Sequence, residues 1–511
     1  MRKIVRVLVS RHTISAALIL VEIALAAYLY FSASTYSVAA LVLAVLFNIF
    51  AVIYIINRDD NPEYKLAWIV TVLVLPFLGI LLYVMFYTRR MTKKEIRLLS
   101  GSFSQLNMHR MKEGSFEKLL EASPLAAGKA RAIMNDDALS EVFCGTSSKF
   151  FSSGEEYFES LISDLKEAKS FVFLEYFIIS EGVLWDKIHE ILKEKAKNGV
   201  DVRVLYDDIG CMKTLPHNYE HTLRAEGIKA YRFGKVSPRI SSVHNNRDHR
   251  KICVIDGRVG YTGGVNIADE YINEKERFGH WKDGGIRLSG DAVRGLVKGF
   301  LSMWDYTAQS ISDYEKYITS VTSAEDADGG FYIPFGSGPT PIYRNPVGKN
   351  VFLNIINQSR KYIYITTPYL VIDYELAESL CNAARRGVDV KIITPGIPDK
   401  KKVKVMTKSS YPHLLAAGVN IYEYTPGFIH EKTFVADDKY GVIGTINLDY
   451  RSLVHHFENA VWMYRTESIS AVASAFRETL KSCEQIDRNK AKLNFSEWVV
   501  RNAIKFFAPL M

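Results

Sequence analysis

One pattern occurs twice in this chain with identical internal spacing. His249-Arg-Lys251-Ile-Cys-Val-Ile-Asp256 is followed, six residues on, by Gly263-Gly-Val-Asn266. His430-Glu-Lys432-Thr-Phe-Val-Ala-Asp437 is followed, again six residues on, by Gly444-Thr-Ile-Asn447. Both spell HxK(x)4D(x)6GxxN. Each copy also follows the same kind of unit. Phe171–Tyr176 and Tyr362–Thr367 are β-branched or aromatic runs, each followed by an amphipathic helical pattern, 185–197 and 374–386. Each pattern stops at a glycine that opens Gly-Val-Asp-Val, at Gly199 and at Gly387. Strand, helix, glycine stop and strand predict a βαβ unit with a parallel pair. A chain built this way is constrained to two similar α/β halves.

In an extended segment, side chains two apart share a face, so the His and Lys of each copy point the same way. The four apolar residues after each Lys read as a buried strand, and Asp256-Gly257 and Asp437-Asp438 read as its turn. Packing the halves about a pseudo-twofold axis brings together two His, two Lys and two Asn (Asn266, Asn447). That set suits a phosphodiester. Two ammonium groups and two amides hold the non-bridging oxygens and the extra charge of a five-coordinate transition state. One imidazole attacks phosphorus and the other protonates the leaving oxygen. No acidic cluster stands at ligand spacing beside these His, and Lys251 and Lys432 repel a cation, so neither a metal nor another cofactor is expected. His244, His221, His455 and His456 lack the duplication and read as structural histidines.

The first ninety residues are far more apolar than the rest. Runs at 13–31, 37–56 and 66–87 each reach about 20 residues, enough to cross a hydrocarbon core. Only Glu22 is ionisable inside them, which argues against a transport pathway. A cleaved leader competes for the first run, but that run is long for one and two more follow. Basic clusters at Arg2, Lys3, Arg6 and Arg11 and at Arg89, Arg90, Lys93, Lys94 and Arg97 would face opposite sides with three spans, so two or three spans remain open. The expected layout is membrane-spanning segments over 1–90, a polar helical linker over 91–137, a first α/β domain over 138–330 and a second over 331–511. The segment 492–511 reads either as a helix packed on the second domain or as a membrane-surface helix.

Lys+Arg 64 against Asp+Glu 56 leaves +8, a mild basic excess that suits anionic lipid and falls short of a nucleic-acid binder. The five cysteines are widely spaced with no CxxC, so neither a disulfide framework nor a structural zinc site is expected.

The duplicated motif resembles the HKD signature of the phospholipase D superfamily. Within it the chain resembles the bacterial cardiolipin synthases along nearly its whole length. The softer matches are Leu66-Ala-Trp-Ile, Pro76-Phe-Leu-Gly79, Asn246-Arg-Asp-His-Arg-Lys251, Gly263 to Tyr271, Ser337-Gly-Pro339, Thr366-Thr-Pro-Tyr369, Gly444 to Ser452 and Ala508-Pro-Leu-Met511. Small departures are Thr445, where Ser is common, and 370–373, where a Pro is frequent.

The resemblance implies an α/β fold of two phospholipase D-like halves packed as a pseudo-twofold dimer, preceded by N-terminal transmembrane helices, in a multi-pass protein of a bacterial cell membrane. It implies phosphatidyl transfer from one phosphatidylglycerol to another through a phosphatidyl-histidine, with anionic membrane lipid as partner and no nucleic acid. A phospholipase D-type hydrolase or another phosphatidyltransferase is the alternative. The set carried over is His249, Lys251, Asp256, His430, Lys432 and Asp437, with Asp256 and Asp437 as loop-fixing members. His249 is then the nucleophile, aligned by Glu458. His430 is the acid and base, held by Asp283, whose charge is expected to raise its pKa.

Overall fold

The computed structural model describes residues 35–75, 78–84, 93–109, 114–235, 246–340 and 342–505. The chain divides into two compact units. One holds Met1–Arg90, Ser237–His244 and Ala503–Met511; the other holds Met91–Val236 and Asn245–Asn502.

In the first unit, the helix Thr35–Ile56 has 22 residues and no charge. Asn61 caps the next helix, Pro62–Val74, by accepting a hydrogen bond from the Glu63 N–H at 2.9 Å, with Pro62 at the first helical position. Ile55, Trp68, Val72 and Tyr83 form a small core, with Trp68 edge-on to Tyr83 at 5.4 Å. Gly79, in the short helix Leu78–Leu82, lies so close to the Thr71 backbone that a Cβ would come within 2.5 Å of its carbonyl oxygen. The other face stays open: Leu43, Phe47 and Phe50 are each more than half exposed. Among the described residues no helix is long and apolar enough to cross a membrane. The run 13–31, His244 and the segment 508–511 lie outside the described residues.

The second unit carries two large sheets and two short two-stranded ones. The strands of the first are β1 Thr146–Phe151, β2 Phe171–Tyr176, β3 Asp201–Asp207, β4 Lys229–Phe233, β5 Lys251–Ile255 and β6 Val259–Gly263, then, beyond the separate short strand β7 His280–Lys282, β8 Gly285–Gly290. Their order is β1-β8-β6-β5-β2-β3-β4. The second half adds β9 Phe331–Ser337, β10 Tyr362–Thr366, β11 Leu370–Val371, β12 Asp389–Pro395, β13 Asn420–Tyr424, β14 Gly427–Ile429, β15 Thr433–Ala436, β16 Tyr440–Gly444, β17 Leu448–Asp449, β18 Glu458–Tyr464 and β19 Cys483–Ile486. Its large sheet runs β19-β13-β12-β10-β15-β16-β18-β9. The two orders match strand for strand, with β19 added at one edge.

The βαβ units form as the pattern predicts. β2 pairs parallel with β3 and β10 with β12. Gly199 and Gly387 both sit at φ +87°, the left-handed helix stop that glycine adopts without a Cβ penalty. β5 lies mid-sheet between β2 and β6, which is why its residues are apolar on both faces. Ile252 and Val254 face a core that also contains Ile363, Val435 and Trp462 of the second half, whereas Cys253 and Ile255 face a separate core behind the first sheet. The two halves therefore share one core. The stretch expected as a linker joins it: in the helices Lys93–Met108, Ser115–Ala122 and Pro124–Asp136, residues Leu99, Leu106, Leu119 and Ala130 are buried there.

Candidate active site

Two short cross-connections tie the halves at the motifs, and they are reciprocal. Asp248 bridges in parallel to Phe457, and the His249 N–H donates to the Phe457 carbonyl at 2.9 Å. Conversely, β14 pairs in parallel with β7, and the His430 N–H donates to the Lys282 carbonyl at 2.7 Å. Each histidine is thus delivered by one half and docked on the other.

Each also takes its carboxylate from the other half. His249 Nδ1 lies 2.9 Å from Glu458 Oε2, and His430 Nδ1 lies 2.6 Å from Asp283 Oδ2. With Nδ1 donating to a carboxylate, Nε2 is left as the basic nitrogen. Neither Nε2 has a hydrogen-bond partner among the described residues. Lys251 Nζ donates to the His249 carbonyl at 2.8 Å, and Lys432 donates to the His430 carbonyl. The segment before β5 is pinned by buried ion pairs, Arg247 to Asp207 at 2.8 Å and Arg250 to Glu175 at 2.9 Å.

The charges register across the halves. Lys251 feels Glu458 and Asp283; Lys432 feels Asp283, Lys251 and Glu458. Burial pushes the Lys251 ammonium down to about 8 and that of Lys432 down to about 7. Burial, then Lys251, holds His249 well below the usual imidazole range. His430 falls to about 4, through burial and then Lys432, and Asp283 does not outweigh them. The expected upward shift is therefore corrected: desolvation beside a second cation outweighs the carboxylate. Burial also raises the Glu458 carboxyl well above its usual range.

Two further details bear on the expected roles. Asp256 and Asp437 are set apart from the centre, at the far ends of β5 and β15, about 17 Å of extended chain from each Lys. Asp256 accepts the backbone N–H groups of Lys169, Ser170 and Phe171 at 2.8, 2.7 and 2.9 Å. Asp437 does the same for Arg360, Lys361 and Tyr362 at 2.8, 2.7 and 3.0 Å. Both adopt left-handed backbone, φ +55° and +57°. They anchor the start of β2 and β10, and touch no reacting atom. Asn266 spends most of its amide internally, accepting from the Ile178 N–H at 3.1 Å and donating to Tyr271 Oη at 2.6 Å, which leaves one N–H for a phosphate. Asn447 Oδ1 is buried without a partner.

His456, read as structural, stands in the site instead. Its ring centroid is 5.6 Å from that of His249. His249, His456 and Glu458 bring ligand-type atoms within 4.8 Å of one another, as do Glu378, Cys381 and His413 elsewhere on the second half. At the first trio, buried Lys251 opposes a cation and His249 is already bonded to Glu458. The signal for His456 was its place two residues before Glu458. Aromatic walls complete the centre: Tyr271, Trp281 and Phe428 lie 5.6, 5.7 and 5.8 Å from His430, and Phe177 lies 4.8 Å from His249.

The family described as cardiolipin synthase, PLD-like domain matches residues 161–277 and 352–480, and the phospholipase D-nuclease N-terminal family matches 46–86. A cardiolipin synthase of Alkalihalophilus pseudofirmus is 33% identical over 477 residues, covering 91% of this chain and 92% of that one. The cardiolipin synthase of Halalkalibacterium halodurans is 34% identical over 474 residues, 90% and 91% of the two chains. The chain belongs to the cardiolipin synthase family. It is an enzyme by that membership. A Streptococcus mutans protein named only as uncharacterized is 41% identical over 467 residues, 90% of this chain and 99% of that one. In fold, the crystal structure of phosphatidylserine synthase from Haemophilus influenzae Rd KW20 superposes with a TM-score of 0.56 at 15% identity, over 75% of this chain and 98% of that one. This cardiolipin synthase family fold is thus mixed α/β in two sheet-containing halves.

Proposed function

We propose that this enzyme makes cardiolipin by transferring the phosphatidyl group of one phosphatidylglycerol to the hydroxyl of another. The observation that carries the reading is the pair of reciprocal histidine–carboxylate contacts, each across the two halves and each beside a buried lysine.

His249 is the nucleophile. Its Nε2 lone pair forms a bond to phosphorus while the bond from phosphorus to the glycerol oxygen breaks. His430 gives its Nε2 proton to that oxygen and glycerol leaves. In the second step His430 takes the proton from the free hydroxyl of the second phosphatidylglycerol, whose oxygen displaces His249. Low pKa values keep His249 unprotonated and able to attack. The phosphate anion supplies the negative charge that returns a proton to His430. Lys251 and Lys432, with Asn266 and Asn447, hold the phosphoryl oxygens as charge builds on them.

We also propose that the first unit embeds the enzyme in the cell membrane through the runs 13–31, 37–56 and 66–87. The open apolar face of Thr35–Ile56 supports this, since exposed patches of that kind mark a lipid or protein surface. The phosphatidylglycerol substrate is then met in the bilayer.

The test is incubation of purified protein with phosphatidylglycerol alone, followed by mass analysis. Cardiolipin plus glycerol is the expected product pair. Phosphatidic acid plus glycerol, with no cardiolipin, makes the enzyme a hydrolase.

A further inference from the structure

The pseudo-twofold is broken at one point of the site. Asp283 and Glu458 are equivalent, but Glu458 is longer by one methylene. Asp283 accepts from His430 on Oδ2 and from the Gly284 N–H on Oδ1, the latter at 2.8 Å. Glu458 accepts from both His249 and the Thr445 hydroxyl on the one oxygen, Oε2. Its Oε1 is buried with no hydrogen bond made to it.

Two donors stand near. The Ser452 hydroxyl is buried, unpaired and close enough to lower the Glu458 pKa. His456 is the other, with Nδ1 3.7 Å from Oε1. Both His456 ring nitrogens are buried and unpaired. Burial, with Arg451, His455, Arg247 and Lys251 around it, keeps this ring neutral. A neutral imidazole has one N–H to give. The first half has Trp281 at the equivalent place, two residues before its carboxylate. Trp281 has no such task, because Gly284 already satisfies Asp283. The turn before His456, Arg451–His455, is a π-helix, a local widening that recurs at functional sites.

We propose that His456 is a positioning residue for His249, acting through Glu458: its Nδ1–H fills on Oε1 the place that the Gly284 N–H fills on Asp283. The inference rests on the two-histidine reading above. When phosphorus bonds to His249 Nε2, that ring becomes an imidazolium and Glu458 must face it as a carboxylate. A carboxylate held at both oxygens keeps the His249 Nδ1–H aligned throughout. A small turn of either side chain closes 3.7 Å to hydrogen-bond length.

The experiment uses the full chain in lipid nanodiscs containing phosphatidylglycerol and follows glycerol release. That release is common to transfer and hydrolysis, so a wrong product assignment leaves this test intact. His456→Phe keeps a ring and removes both nitrogens; His456→Gln restores an N–H. The phenylalanine variant is expected to lower kcat by about tenfold or more with KM within about twofold, and glutamine to return kcat to within about threefold of the parent. Ser452→Ala is expected to stay within about twofold. Should His456→Phe melt early, the similarly sized pair His456→Leu and His456→Asn makes the same comparison, with only Asn active. Parental kcat in His456→Phe, equal losses in the paired variants at unchanged melting temperature, or a loss that follows Ser452 instead would each overturn the assignment.

Discussion

The two motif histidines sit in matched but unequal surroundings. His249 shares Glu458 Oε2 with the Thr445 hydroxyl, while His430 has Asp283 Oδ2 to itself and Lys432 beside it. His249→Ala and His430→Ala should each lower turnover by about three orders of magnitude or more, with the melting temperature little changed. A variant that keeps a tenth of the parental rate removes that histidine from the mechanism. The lysines make a second prediction. Their charged forms are the useful ones, and a lysine is charged below its pKa. With Lys432 at about 7 and Lys251 at about 8, both charges are lost as pH rises through neutrality. kcat/KM should therefore fall at least about tenfold between pH 7 and 9. A profile flat to pH 9 would mean that bound substrate is not needed to keep these ammonium groups charged.

At the scale of elements, β5 and β15 do two jobs from opposite ends. The His–Lys end carries the proposed phosphate site, and the Asp end ties down the neighbouring strand. Asp256→Ala and Asp437→Ala each strip an acceptor from three backbone N–H groups at a left-handed turn. Each should destabilise the protein by about 2 kcal/mol or more, while kcat per folded molecule stays within about threefold. Thermal unfolding alongside active-site titration separates the two effects. A hundredfold loss of kcat at unchanged melting temperature would return these aspartates to the chemistry.

At the scale of the whole molecule, the reciprocal contacts mean that neither half holds a complete histidine–carboxylate pair. The catalytic unit buries its apolar residues in two cores, whereas the first unit exposes a row of them. The full chain should stay with membranes through alkaline carbonate washing, and a chain lacking residues 1–90 should be released. Retention of the shortened chain would move the anchor to another surface, of which the helix Phe495–Lys505, with Phe495, Trp498 and Val499 exposed, is the first to examine.

The repeated motif and the two Gly-Val-Asp-Val stops were enough to read two βαβ-containing halves, because strand, helix and glycine stop are local and each leaves its own periodicity. The mild charge and the spacing of His and Lys carried the phosphodiester chemistry for the same reason. Partners that cross between halves leave no such trace. That Glu458 serves His249 and Asp283 serves His430 came from likeness to relatives; the hydrogen bonds that make the pairing physical exist only once the halves dock. His456 looked like any other histidine because its meaning depends on Glu458 being one methylene longer than Asp283. The direction of the His430 shift was equally hidden. A carboxylate partner argues for an upward shift, and only the burial of the site beside Lys432, a product of packing, turns it downward.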